Sequence, residues 1–389
     1  MAWLRPVLAL IVLLAGTGLA AAEDVVLGYL SQTDDPRYVR DWGYARLIAP
    51  PADTTVDGAT MALKDLSFVT DASGLSVTLD AREAPDLDGL KIALEAQIAA
   101  GARFVILDLN AELVSGLAEA AAGSPVMLIN ATAPDDSLRT ACFAGLLHSG
   151  PSDRMLEDAL TQYLRFQNWT RALVLYGEHP RDSIIAEAFA KSAARLRIGI
   201  SDTRPFTLAA DPQNREQNNI KLLTGGTDYD VVFVADTRGE FGRYIPYATN
   251  LARPVVGSVG LTPLAWHWAF ERDGATQVSS RFDRMTGRKM SGEDWSVWIA
   301  AKAILTAYTK ITDHSVTALA DYMRSDAMRL DGSKGVSLNF RDWNGQLRMP
   351  VMLATADAVI AVAPIEGYLH RDNTLDTLGT DRAEFRCSP

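Results

Sequence analysis

Residues 104–130 read FVILDLNAELVSGLAEAAAGSPVMLIN. Phe104 to Leu107 and Val126 to Ile129 are continuous apolar runs, and Glu112 to Ala122 between them reads as one helix. A strand that is apolar without alternation is buried on both faces. Two such strands joined by a helix belong to a parallel sheet covered by helices.

The pattern repeats in both directions. Upstream, Val25 to Leu30 reads as a buried strand, a helical stretch lies near Asp57 to Phe68, Leu75 to Leu79 is a strand and Leu90 to Ala100 a helix. Downstream, Ser152 to Phe166 places Leu156, Leu160 and Leu164 at i, i+4 and i+8 of a helix. Strands follow at Ala172 to Tyr176, Val231 to Ala235 and Val255 to Gly257, with a helix from Ser183 to Arg195. Trp295 to Tyr308 is a long helix, and Val336 to Ile365 is β-rich with a turn at Trp343 to Gly345. From Arg371 the chain is polar and reads as an extended tail. The expected class is α/β, with two doubly wound parallel-sheet lobes in series.

The N-terminus predicts export. A basic start ending at Arg5 precedes an apolar run from Pro6 to Leu19, and Ala20-Ala21-Ala22 offers a small-residue cleavage site. No cysteine follows that run, so no lipid attachment is expected. Cleavage after Ala22 leaves 367 of the 389 residues, too many for one ordinary core. The full chain carries a net charge of −11, and loss of Arg5 makes it more acidic still. That balance argues against nucleic acid or anionic membranes as partners. The two cysteines, Cys142 and Cys387, are candidates for a disulfide in an oxidising compartment, and no spacing fits a metal site.

In open parallel sheets ligands bind at the carboxyl ends of the strands. This selects Ser31 to Tyr38 (with Arg37), Asp108 to Asn110, Asn130 to Thr132, Gly177 to His179, and Asp236 to Glu240 with Arg243 beyond it. The segment PLAWHWAF, residues 263–270, follows another strand and reaches the same edge. Read as a helix, it puts Trp266 and Phe270 on one face. Trp266 and His267 are expected in the cleft, Trp268 and Phe270 in packing, and Trp295 and Trp298 in the core. Asp108 and Asp236 also suit helix capping, and Glu240 suits a helix start. No nucleophile elbow, zinc-protease motif, Walker loop or dinucleotide fingerprint is present, so no catalytic residue is assigned.

Three features resemble the type I periplasmic solute-binding proteins of ABC importers, near the leucine/isoleucine/valine-binding branch. They are the strand pair of 104–130, the segment Tyr229 to Ala235 followed by Glu240-Phe241-Gly242, and Asp331 to Gly335 leading to Phe340 and Asn344-Gly345. A narrower set resembles binding proteins associated with pyrroloquinoline quinone (PQQ)-dependent alcohol dehydrogenase systems. It comprises Gly28 to Leu30, Asp34 to Tyr38, Ala133 to Arg139, Gly239 to Tyr244, Leu375 to Gly379 and Cys387. Two departures stand out: Asp108 replaces a serine-rich loop, and Trp295 and Trp298 stand in the helix where a tyrosine-aspartate pair is usual.

The resemblance implies a type I fold with a hinge of three crossovers, near Arg139 to Leu147, Ser258 to Leu261 and Lys334 to Leu347. The implied organisation is a signal at 1–22, a first lobe of 23–143 plus 260–335, a second of 144–259 plus 336–370, and a tail of 371–389. It implies a periplasmic, non-enzymatic binder with an ABC permease as partner and no resident cofactor, closing on a small molecule. PQQ is the leading ligand, bound as cargo. Arg37, Tyr38, Asp108, Asn110, Asn130, Thr132, His179, Asp236, Glu240, Arg243, Tyr244, Trp266 and His267 are the candidate contacts. Aromatic faces would stack on the flat quinone, while cations and hydroxyls meet its carboxylates. The alternatives are import of a branched-chain amino acid or other small organic acid, an exported accessory protein or enzyme of PQQ-dependent alcohol oxidation, and a sensor module.

Overall fold

The computed structural model describes residues 22–38, 54–207 and 215–387. The expected signal segment lies outside them up to residue 21. Five parallel strands form the first sheet: β1 (Glu23–Gln32), β2 (Leu75–Ala84), β3 (Phe104–Asp108), β4 (Met127–Asn130) and β5 (Leu146–His148), in the order β2-β1-β3-β4-β5. Leu27, Val105, Ile106 and Leu107 have no exposed surface, because helices cover both faces. The helices α1 (Val56–Ala72), α2 (Leu87–Ala99), α3 (Ala111–Ala120) and α4 (Asp136–Thr140) link these strands.

Helix α5 (Asp153–Phe166) leads to a second parallel sheet of β6 (Arg171–Tyr176), β7 (Gly199–Pro205), β8 (Val231–Ala235) and β9 (Val255–Gly257), ordered β7-β6-β8-β9. Its connections include α6 (Pro180–Arg195), α7 (Arg215–Asn218) and α8 (Ile220–Leu223). A third, antiparallel sheet joins β10 (Thr262–Leu264) to β13 (Val351–Ala354) and β14 (Val359–Ala363), with α5 packed on it. Between them run α9 (Ala275–Thr286), α10 (Gly292–Lys310), α11 (Val316–Arg324) and the small hairpin β11 (Leu330–Asp331) and β12 (Ser337–Leu338).

Capping fixes where several helices begin. Asn110 accepts from the Leu113 amide at 3.0 Å, Ser152 starts α5, and Ser291 and Asp294 form a reciprocal cap on α10. Helix α10 returns to the first sheet and packs on α1 so closely that a Cβ on Gly58 would stand 2.4 Å from the Asp294 carbonyl oxygen. Only glycine permits that approach. Trp295 and Trp298 are 0% and 1% exposed on this helix, which closes the core.

Three sequence expectations change. Residues 265–273 are not helical; they form a turn after β10. The first sheet runs past residue 143, because Leu146 to His148 pair with Leu128 to Asn130. Thr262 to Leu264, expected with the first lobe, bond to Met352 to Ala354 instead. Very short strands are set by their neighbours' hydrogen bonds, which local sequence does not specify.

Candidate functional site

The loops at the carboxyl end of the first sheet converge on Asp108. The register sets Ser31 of β1 beside Asp108 of β3, which brings the loop after β1 over the end of β3. The Asp108 carboxylate is wholly buried. It accepts hydrogen bonds from Tyr29 Oη at 2.9 Å, Thr55 Oγ1 at 2.7 Å, Tyr38 Oη at 2.6 Å, Thr132 Oγ1 at 2.8 Å and Arg37 Nη2 at 3.0 Å. Burial, followed by the negative charge of Asp108, holds both tyrosine hydroxyls well above their usual range, so they stay donors.

Each guanidinium nitrogen of Arg37 is already engaged. Nε bonds Asp35, Nη2 bonds Asp35 at 2.6 Å and Asp108, and Nη1 bonds the Leu109 carbonyl at 3.1 Å and Thr132 at 2.9 Å. Arg37 therefore builds the floor of the site, where the sequence suggested a free cation for a ligand. Tyr29, Thr55 and Asp35 were missed from sequence; only the fold brings the first two to Asp108 from 79 and 53 residues away.

The other first-sheet candidates shape loops. Asn110 caps α3. Buried Asn130 bonds the Ala133 carbonyl at 2.8 Å and the Ala133 amide at 3.0 Å, and lies 3.2 Å from His148 Nδ1. This folds the turn that presents Thr132.

On the second sheet, His179 caps α6 reciprocally with Asp182, and Asp182 also accepts from Thr237. Asp236 accepts from the amides of Gly239 at 2.9 Å, Phe241 at 3.2 Å and Gly242 at 2.7 Å, while burial raises its carboxyl. A 3-10 turn, Gly242–Tyr247, follows where a helix start had been expected. Glu240 and Arg243 are half-buried there, and Arg238 is exposed. The Arg243 guanidinium lies 4.5 Å from the Tyr244 ring centre, and Tyr244 and Tyr247 are 53% and 90% exposed. This edge offers aromatic surface with a cation against it.

PLAWHWAF is read differently by the structure. Trp266 is 1% exposed, stacked on Trp295 at 6.2 Å and edge-on to Phe270 at 6.5 Å. It is core, and its expected place in the cleft is corrected. Trp268, expected in packing, is 39% exposed and stands under Lys289. His267 is 7% exposed and accepts from the Ala269 amide at 3.2 Å, and burial lowers its imidazole. The turn buries the first tryptophan and leaves the second at the surface, a choice that neither helical nor strand periodicity makes.

Arg181 of α6, not singled out from sequence, reaches Asp135 on the loop after β4 at 3.5 Å and pairs with Asp153 at the start of α5. Burial raises Asp153 to about 6. One turn further, Glu157 is fully buried, and burial followed by the charges of Asp153 and Asp158 holds it well above the usual range. Its folded-state pKa exceeds the unfolded value, so the stability this group contributes at low pH is lost as pH rises. Glu157→Gln is accordingly expected to gain stability relative to the native chain as pH rises above the ordinary carboxylate range, at up to about 1.4 kcal/mol per pH unit. Urea midpoints across pH check this; a constant difference would show that Glu157 is ionised in the fold.

Among the described residues no group of three or more His, Cys, Asp or Glu is placed to hold a metal ion, and no helix is long and apolar enough to cross a membrane.

No protein-family model matches the sequence, and no curated protein matches it. Solved structures do. An ABC transporter substrate-binding protein from Sphaerobacter thermophilus superposes with a TM-score of 0.70 at 14% identity, over 88% of this chain and 98% of that one. A branched-chain amino acid ABC transporter periplasmic ligand-binding protein from Burkholderia xenovorans LB400 gives 0.68 at 14% identity, over 87% and 95%. A solute-binding protein of an ABC transporter from R. palustris, in complex with benzoate, gives 0.61 at 11% identity, over 88% and 96%. These likenesses are of fold: the chain has the type I periplasmic binding protein fold.

Proposed function

We propose that this chain is the periplasmic substrate-binding protein of an ABC-type importer, closing two lobes without chemistry on a flat organic acid. The observation that carries the reading is the convergence of strand-end loops on the Asp108 network in one half, with Arg243, Tyr244 and Tyr247 on the strand-end turn of the other. The likeness in fold to substrate-binding components of transporters supports it.

The two halves differ in chemistry. The first is a self-neutralised polar floor, since Asp108 and Arg37 satisfy each other. The second carries an arginine and two exposed tyrosine rings. A planar acid suits that pairing, with its ring on tyrosine and a carboxylate at Arg243. PQQ, which the sequence resemblance names, is such a molecule. A neighbour in fold is described in complex with benzoate, a smaller planar acid. A branched-chain amino acid is the second reading, because another neighbour is named for that ligand class.

The test is calorimetric titration of the purified chain with PQQ, benzoate and leucine. Saturable heat with PQQ or benzoate supports the planar-acid reading, and heat with leucine alone moves the ligand to the amino acids. Arg243→Ala is expected to weaken binding of the acid about 10- to 100-fold, the loss of one charge-assisted hydrogen bond. An unchanged affinity would place the carboxylate elsewhere.

A further inference from the structure

We propose that the C-terminal tail is a strap across the hinge, tying the loop between α4 and β5 of the first sheet to the last crossover and to α5, and so restricting how far the lobes separate. The inference rests on the two-lobe reading above.

The end of the first sheet and the later crossover already lie side by side. The His148 amide donates to the Gly345 carbonyl at 2.8 Å, the Leu347 amide to the His148 carbonyl at 2.8 Å, and Arg139 Nε to Gln346 Oε1 at 3.1 Å. The tail then bonds to both. At its end, Cys387 is disulfide-bonded to Cys142, in the loop between α4 and β5 of the first sheet, with the Cα atoms 5.8 Å apart. Further in, Asp376 accepts from Arg341 Nε in the later crossover and from Arg348 Nε just beyond it, each at 2.8 Å. Arg341 also donates to the carbonyls of Leu375 at 3.0 Å and Leu378 at 2.7 Å, and Trp343 Nε1 donates to that of Thr380 at 3.2 Å. Ion pairs join Arg382 to Asp342 and Arg154 to Glu384. The Gly379 amide donates to Asp158 of α5 at 2.9 Å.

A hinge works by letting a few crossover residues change backbone angles. Here those residues carry side chains that cannot move freely. The Arg341 side chain is wholly buried, and its charge is compensated by Asp376 alone among the acids it bonds. Pulling the later crossover away from the tail would leave a buried guanidinium unpaired, an arrangement proteins avoid at high cost. The disulfide prevents the tail from following the later crossover while leaving the first sheet. The strap lies on the crossover bundle, so it restrains opening without touching the candidate ligand contacts.

The experiment needs no ligand, so it is independent of the ligand assignment. Fluorophores are placed through non-natural residues at Ile92 on α2 and Lys191 on α6, both exposed. Single-molecule energy transfer then reads the distance distribution in the native chain, in Cys142→Ser with Cys387→Ser, and in Asp376→Asn. A distribution that broadens toward longer distances in either variant supports the strap. Distributions that superimpose on the native one in both variants overturn it. If the double variant fails to fold, the folded native chain treated with dithiothreitol, which converts the disulfide to two thiols, takes its place.

Discussion

Asp108→Ala is expected to cost about 3–5 kcal/mol of stability and to abolish ligand binding. The carboxylate is fully buried and is the common acceptor for Tyr29, Thr55, Tyr38, Thr132 and Arg37. Alanine takes the shared acceptor from all five donors at once, and a buried donor left unmet carries its full desolvation penalty. Arg37 keeps Asp35, the Leu109 carbonyl and Thr132, and loses one of its two carboxylate partners. Asp108→Asn keeps an acceptor oxygen but brings an amide into a ring of donors, and an intermediate loss is expected. Urea unfolding followed by far-ultraviolet dichroism measures both. A loss below about 1 kcal/mol for the alanine variant would mean that water replaces the carboxylate freely, and the floor of the site would then be open rather than built.

Trp266→Ala and Trp268→Ala are expected to separate by several kcal/mol although the residues are two apart. Trp266 is 1% exposed between Trp295 and Phe270, so its removal leaves a large cavity and costs about 3–5 kcal/mol. Trp268 is 39% exposed and contacts Lys289 through its face, so its removal costs about 1 kcal/mol or less. Thermal and urea unfolding of the two variants side by side decide the point. Equal losses would mean that the turn after β10 holds both rings inward.

The contrast shows where local pattern stops informing. Periodicity located the long strands, because Phe104 to Asp108 and Val231 to Ala235 are fully buried and need apolar residues throughout. It missed β7, whose residues are mostly exposed, and β5, which has three residues. Helices α9 and α11 also went unmarked. Val278 and Phe282 at i and i+4, between the left-handed Gly274 and Gly287, were the available signal for α9, and the Ser315 cap was the signal for α11.

For the site, the strand-end rule pointed to loops that the fold brings to the sheet edges, but not to what their side chains do there. Asn110 and His179 cap helices, Asp236 binds three amides, and Arg37 is held by Asp35 and Asp108. A residue type at a strand end is consistent with capping and with ligand contact alike, and only the neighbours distinguish them. Those neighbours come from remote segments: Thr55 precedes a helix and Tyr29 lies within β1.

The sequence by itself determined the α/β class and the parallel sheets, because burial on both faces of a strand is written in consecutive apolar residues. It also marked which loops stand at the carboxyl ends of the strands, because those ends follow directly from strand order. The tertiary structure alone decided which tryptophan faces the core, which charges neutralise each other at Asp108, and how the tail is fastened to the first sheet and the later crossover. Each of these depends on pairs of residues far apart in the chain, whose energies are set by distance and desolvation after folding rather than by any local period.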